Sequence, residues 1–377
     1  MSPLPIAPPA AGARVIVGLS GGVDSAVAAL LLQEGGWDVQ GLFMSNWEED
    51  DDTWCTAARD FQDARAVARE LGLALHRVSF AAEYRERVFR HFLREHQAGR
   101  TPNPDVLCNR EIKFGVALEW ARRLGGTHFA TGHYARLLPA ADGPALCKGV
   151  DAGKDQSYFL HALTGAQLAR TLLPLGGLLK SEVRERARRA GLPVFDKPDS
   201  TGICFIGERP FREFLGRYLP RSPGPIRSPE GEHLGTHEGL PFYTLGQRAG
   251  LGIGGRAGRA AQPWYVAAKE AASNTLIVVQ GGDHPLLAGA GLVTGRWHWL
   301  STARHAPFGA RLKVRYRQNE QPALLTPLTD GAMHVAFEQP QRAVTPGQYA
   351  VAYEGERCLG GAVIEAVTAA RPRCAAA

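Results

Sequence analysis

The sequence predicts an α/β protein: a doubly wound parallel sheet, then a small central β-rich domain and a C-terminal β-barrel. Three observations predict it. Strand-like and helix-like segments alternate through the first third of the chain. The stretch Pro220 to Leu240 is dense in Pro, Gly and turn residues and has no helical period. From about Leu286, short alternating apolar runs sit between Gly/Pro turns. A length of 377 residues, at roughly 150 residues per domain, suits two or three such units. We divide the chain at 1–207, 208–283 and 284–377.

The elements follow in order. Arg14 to Leu19 is a β-branched run, Ser20 to Ser25 a Gly-rich turn, and Ser25 to Gln33 a helix stopped by Gly35 and Gly36. Asp38 to Met44 reads as a strand and Thr56 to Leu71 as a helix ended by Gly72. Leu73 to Phe80 is a third strand, and Ala81 to Glu95 an amphipathic helix. After a Pro-rich loop, Lys113 to Leu124 is helical and Thr127 to Thr131 strand-like. Such alternation places helices on both faces of a parallel sheet. In the last part, Leu312 to Tyr316 and His334 to Phe337 alternate as half-buried strands do, which suits a closed barrel or a sandwich.

Composition excludes several classes. Hydrophobic residues are 45% and charged residues 21% of the chain, ordinary globular usage. The densest short apolar run, Ala26 to Leu32, falls far short of the roughly 18 residues of a membrane span. The Pro/Ala-rich start has no apolar core of a secretory signal, so a cytoplasmic protein with no membrane partner is expected. The six cysteines form no C-x-x-C and no Cys/His cluster, so neither zinc nor an iron–sulfur cluster is expected. The net charge is +6. Arg304, Arg311, Lys313, Arg315 and Arg317 fall within fourteen residues that hold no acid, a polyanion-facing run or a solvated strand face.

No Walker motif is present, and the G-x-G-x-x-G at 250–255 lacks a strand before and a helix after. The stretch Gly18, Leu19, Ser20, Gly21, Gly22, Val23, Asp24, Ser25 has both. Its glycines let backbone N–H groups converge on an anion at a helix N-terminus, and the Ser20 and Ser25 hydroxyls add donors. Asp24 makes sense there if it orients the loop or meets a magnesium ion that bridges phosphates. A strand–helix turn without a ligand is the plainer alternative. The S-G-G-x-D-S string resembles the pyrophosphate-binding loop of ATP pyrophosphatases, which transfer AMP to an oxygen that is to be replaced.

Cys108 and Cys204 are expected on loops, where reactive groups concentrate, with Asp105 three residues before the first. Cys55 opens a helix, Cys147 and Cys358 sit in strand-like runs, and Cys374 lies in the tail. Any one of them alone reads as a small buried hydrophobe.

Further strings carry a resemblance. G-R-T-P-N-P-D-V-L-C-N (99–109), A-T-G-H-Y-A-R (130–136), K-D-Q-S-Y-F-L (154–160), S-T-G-I-C-F-I-G-E-R (200–209), Y-T-L-G-Q-R-A-G-L-G-I (243–253), P-W-Y-V (263–266) and K-V-R-Y-R-Q (313–318) occur in order. With the Gly-rich loop, the chain from about Val15 to about Ile364 resembles the bacterial tRNA-specific 2-thiouridylase family. A Pro at 198, where another charged residue is expected, is a small departure.

The resemblance implies a first domain of the adenine-nucleotide-hydrolase type. It also implies a sulfurtransferase that replaces O2 of the wobble uridine of tRNAs for Glu, Gln and Lys. ATP, with Mg2+, adenylates O2, a persulfide on the second cysteine supplies sulfur, and the first cysteine releases it by forming a disulfide. Carried over, Gly18 to Ser25 hold phosphates while Met44 and Gly132 contact the adenosine. Asp105 is the base or a base-positioning acid, Cys108 the nucleophile and Cys204 the persulfide carrier. Asn103, Pro104, Asp105, His133, Lys154, Asp155, Gln156, Arg315, Tyr316 and Gln348 face tRNA, and a desulfurase or relay protein brings the sulfur. Two other classes stay open: a different adenylating ligase with the same loop, and a non-catalytic tRNA-binding protein.

Overall fold

The computed structural model describes residues 13–47, 57–199, 211–254 and 262–369. Cys55, Cys204 and Cys374 lie outside the described residues, so the settings expected for them do too. The first part is built on a five-stranded parallel sheet of β1 (Arg14–Gly18), β2 (Asp38–Ser45), β3 (Leu75–Ser79), β4 (His128–Ala130) and, beyond a hairpin, β7 (Thr171–Leu172). Its order, β3-β2-β1-β4-β7, reverses direction at β1, next to the Gly-rich loop. In open parallel sheets that switch point is where ligands bind.

Alternation along β1 gives the layering. Val15 and Val17 pack with α1 (Val23–Glu34), α2 (Ala57–Glu70) and the helix Lys180–Arg189. Ile16 faces the opposite layer, with Phe114, Ala117 and Phe129. Small residues on α1, Ala26, Ala28 and Ala29, are wholly buried and let that helix lie close to the strands.

Two long helices differ from expectation. The first runs through Ala81–Tyr84, a π-helical turn Arg85–Phe89, and Arg90–Gln97. The second starts at Pro104, nine residues before the predicted start at Lys113, and passes through a π-helical stretch Cys108–Val116 to Ala117–Arg123. Asn103 caps it, its Oδ1 accepting the Asp105 N–H at 3.2 Å, and Pro104 takes the first helical position.

A hairpin of β5 (Ala135–Leu138) and β6 (Ala145–Lys148) leaves the first part to join the last. The central sheet is β8 (Gly224–Arg227), β9 (His233–His237), β10 (Trp264–Glu270) and β11 (Thr275–Gln280), in the order β10-β11-β8-β9. After it come β12 (Ala288–Thr294), the short β13 (His298–Trp299), β14 (Phe308–Lys313), β15 (Gln321–Pro327), β16 (Met333–Arg342), β17 (Tyr349–Glu354) and β18 (Arg357–Ala369). Six of them close a barrel, β12-β16-β15-β14-β17-β18 and back to β12, around Leu292, Leu312, Leu325 and Val335. The predicted barrel is therefore present and the sandwich is not. The expected strand Leu312 to Tyr316 stops at Lys313, and Arg315 and Tyr316 lie in the turn beyond it. Gly250 to Gly254 form no regular element, as expected.

The three parts meet at Thr101. Its N–H donates to Pro346 O at 3.0 Å, its O accepts Gln348 Nε2 at 2.7 Å, and its hydroxyl meets that of Thr244 at 3.3 Å.

Candidate active site

At the end of β1 the chain turns through Gly21, whose φ of +78° is in the left-handed region and whose Cβ, if present, would stand 2.2 Å from Asp60 O. Only glycine fits. The serine hydroxyls are knitted into the turn itself. Ser20 N–H donates to Ser25 Oγ at 3.2 Å, and Ser25 Oγ donates to Gly22 O at 3.0 Å. Ser25 is buried and Ser20 exposed, so Ser20 is the hydroxyl open to a ligand. Gly132 backs the loop: a Cβ there would lie 2.7 Å from the Asp24 carbonyl carbon and 2.8 Å from Ser25 N. The Cβ that Gly18 lacks would stand 3.4 Å from the Met44 side chain, so these two residues sit together beside the loop.

Asp24 is held by groups that the sequence reading missed. Lys180 Nζ donates to both its carboxylate oxygens, at 2.7 and 2.8 Å, and the Tyr134 hydroxyl donates to Oδ1 at 2.7 Å. Lys180 also pairs with Asp199 at 2.8 Å, which Lys154 reaches at 2.6 Å and Arg184 at 3.1 Å. Burial works against the charge of Asp199, but hydrogen bonds from Lys154 and Lys180 outweigh it and hold its pKa at about 2. Burial and the neighbouring Asp24 charge both raise the Tyr134 phenol above its usual range, so it stays a donor. On the other side of the loop, Lys197 Nζ donates to Gly21 O at 3.0 Å and pairs with Asp60 and Asp63 at 2.7 and 2.6 Å. Burial opposes its charge, yet the two carboxylates raise its pKa above that of an ordinary lysine. The loop thus has an ammonium group on each flank, each paired with carboxylates.

The cysteine half is built differently. Cys108 is 1% exposed and belongs to the core that includes Phe92, Phe114 and Tyr158. The expected loop position is corrected: capping by Asn103 and Pro104 starts the helix early and carries the thiol inside. Asp105, half-buried, is in the first turn of that helix. The neighbouring Asn109 side chain donates to Phe159 O at 3.4 Å, tying the helix to Ser157–Leu160.

The remaining predicted positions divide in two. His133 is buried, with Nδ1 2.7 Å from the Thr131 hydroxyl, and desolvation keeps its pKa well below the usual value. Asp155 is buried and structural: its Oδ1 accepts Gly149 and Ser157 N–H, both at 3.1 Å, and Lys313 pairs with Oδ2 at 3.2 Å. Gln156 clamps the Tyr134 backbone: its N–H donates to Tyr134 O at 2.8 Å and its Oε1 accepts the Tyr134 N–H at 3.0 Å. Arg315 donates to Ala343 O and to the Thr345 hydroxyl at 3.2 Å, so its guanidinium serves the protein interior. Tyr316 packs on Phe159 with ring centroids 4.4 Å apart. Lys154 reaches the Asp24 cluster through Asp199.

Three family models cover the chain: the tRNA methyl transferase HUP domain over residues 13–208, the tRNA methyl transferase PRC-barrel domain over 212–280, and the aminomethyltransferase beta-barrel domain over 290–364. The tRNA-specific 2-thiouridylase MnmA of Hahella chejuensis is 55% identical over 94% of this chain and 98% of its own length. That of Methylococcus capsulatus is 55% identical over 97% and 99%. That of Aeromonas hydrophila is 54% identical over 93% and 96%. A solved 4-thiouridine synthetase–RNA complex with bound ATP is similar at a TM-score of 0.36 and 21% identity, over 55% of this chain and 49% of that one. That likeness is too weak to speak for this chain's chemistry. The near-complete coverage at such identity is decisive: this chain belongs to the tRNA-specific 2-thiouridylase family.

Proposed function

We propose that this protein is an ATP-dependent sulfurtransferase that replaces O2 of the wobble uridine of tRNA with sulfur. The carrying observation is the Ser20–Ser25 turn, with Lys180 and Lys197 on its flanks, in a chain of this family. ATP lies with its phosphates on the backbone of Gly18, Leu19, Ser20, Gly21, Gly22 and Val23, and its adenosine toward Met44 and Gly132. Uridine O2 attacks the α-phosphorus, pyrophosphate leaves, and O2 becomes part of an AMP leaving group. Lys180 is placed to neutralise the phosphates when it releases Asp24.

Asp24 also fits a magnesium ion carried by ATP, which typically takes one or two protein carboxylates plus phosphate and water oxygens. Such an ion would spread the phosphate charge.

Sulfur comes from a persulfide on Cys204, charged by a desulfurase or relay protein. Its terminal sulfur adds to C2 and AMP departs. The Cys108 thiolate then attacks the inner sulfur, forming a Cys108–Cys204 disulfide and leaving the second sulfur on the base. Asp105 serves as the base or positions it. Because Cys108 is buried, this step requires the helix from Pro104 to open toward the RNA. Asn103, Pro104, His133, Lys154, Asp155, Gln156, Tyr316 and Gln348 shape the tRNA face. Arg315 acts there by holding its turn against Ala343 and Thr345. We assign the chemistry to residues 1–207, and RNA support to 208–283 and 284–377. No described helix is long and apolar enough to cross a membrane, and we place the protein in the cytoplasm.

The test is product analysis with tRNA. AMP and pyrophosphate support the reading, and ADP with phosphate contradicts it. A ligase moving ammonia would release AMP without tRNA, and a binding protein would release none.

A further inference from the structure

The sequence leaves Arg304–Arg317 as a polyanion-facing run or a solvated strand face, and in the structure four of its five cations are committed. Arg304 pairs with Glu354 at 3.0 Å, Arg311 donates to Glu320 O at 2.9 Å, and Lys313 pairs with Asp155 at 3.2 Å. Arg315 is spent on Ala343 and Thr345.

Among the described residues, a group of arginines without a salt bridge lies elsewhere. A cleft of about 280 Å³ lies between the first part and the barrel, lined by Arg87, Arg94, Arg110 and Arg296 together with His91 and His298. Arg87, His91 and Arg94 recur at helical spacing on one face, while Arg296 comes from the turn between β12 and β13. Arg87, Arg94 and Arg296 are exposed, and among the described residues none has a carboxylate within ion-pair distance. Two of the carboxylates nearby are taken, while Glu365 lies beside Gly295. Glu95 is bound by Arg100 at 2.5 Å and Glu111 by Arg110 at 2.7 Å. Three guanidinium groups therefore line the cleft without a salt bridge among the described residues. The floor between them is apolar, from Leu107, Tyr349, Ala362 and Val363.

We propose that this cleft binds the phosphodiester backbone of the tRNA substrate, with arginines on phosphates and the apolar floor under a ribose or base. The proposal rests on the thiolation reading. Two observations favour RNA over an acidic protein. The site is a narrow concavity with arginine forks, which take phosphate oxygens two at a time. Its lining residues Leu107 and Arg110 flank Cys108 on one helical stretch, and Tyr349 follows Gln348 of the Thr101 joint, so a strand lying there passes the cysteine helix.

The test is anisotropy of a labelled tRNA transcript with the full chain between 50 and 200 mM salt. Arg94→Ala with Arg296→Ala should weaken binding at least tenfold. It should also flatten the log–log salt slope by up to about 1.8, at about 0.9 per duplex phosphate contact. Arg94→Lys with Arg296→Lys should keep most of the slope. If the double variant melts early, Arg296→Ala alone, exposed on the barrel, should still lower the slope by about 0.9. An unchanged affinity and slope overturn the proposal while leaving the thiolation reading intact. So does loss of persulfide loading from a protein donor with RNA binding unchanged, which makes the cleft a protein dock. Failure of the wild type to bind tRNA defeats the thiolation reading and this one with it.

Discussion

The two halves of the candidate site solve opposite problems. The Gly-rich loop is a backbone device: it is braced by glycines that tolerate no side chain and surrounded by matched charges such as Lys180 between Asp24 and Asp199. The cysteine half is a packing device, in which a π-helical stretch carries Cys108 into an aromatic core. One half leaves Ser20 exposed at the end of β1, and the other keeps its thiol buried. ATP binding and sulfur release are therefore expected to fail separately.

The largest effect sharpens that separation. Cys108→Ser should reduce 2-thiouridine in tRNA to background, while tRNA-dependent AMP release continues. Loss of both together would mean that the halves work as one unit. Next comes Lys180→Met, which leaves two carboxylates facing each other. AMP release should fall at least tenfold, and stability by roughly 1–2 kcal/mol for a partly exposed pair. An unaltered AMP rate would show that Lys180 only braces the loop.

Gly132→Ala drives a methyl group against Asp24 and Ser25. Titration calorimetry should find weaker ATP binding, and melting a loss of roughly 1–3 kcal/mol from overpacking. Undiminished ATP affinity would place the nucleotide away from this contact.

Burial of Cys108 predicts that a small alkylating reagent labels it at least tenfold more slowly in the native protein than in denaturant. Peptide mapping identifies the site. Rapid native labelling would mean that the thiol is already open.

The remaining effect is on acid stability. Burial depresses His96 and His161 from 6.5 to about 4. The unfolded chain binds protons there first, so their contribution is complete above pH 6.5 and lost as pH falls from 6.5 toward 4. Each contributes up to about 3 kcal/mol. The melting temperature should fall across that window, and His96→Gln should flatten the fall. A flat profile in the wild type would contradict the burial.

What the sequence disclosed follows the same division. The β1–loop–α1 unit was legible because its signals are local: a β-branched run, glycines at a turn, then a small-residue helix. The early helix start at Pro104 was also written locally, as Asn103 before a proline, but the Pro-rich context reads equally as a loop. Nothing local announces the π-helical stretch. Lys180 lies 156 residues from Asp24, and Lys197 lies 176 from Gly21, so no spacing rule links them. Arg315 carries a similar lesson. Its charge is visible in the sequence, but its commitment depends on Ala343 and Thr345, which only the closed barrel brings near.

The most direct test is nucleoside mass spectrometry of tRNA incubated with the protein, ATP and a persulfide donor. The account predicts 2-thiouridine at the wobble position, formed with one AMP and one pyrophosphate per sulfur. A methylated uridine with no sulfur gained, or 2-thiouridine formed without ATP cleavage, would contradict it.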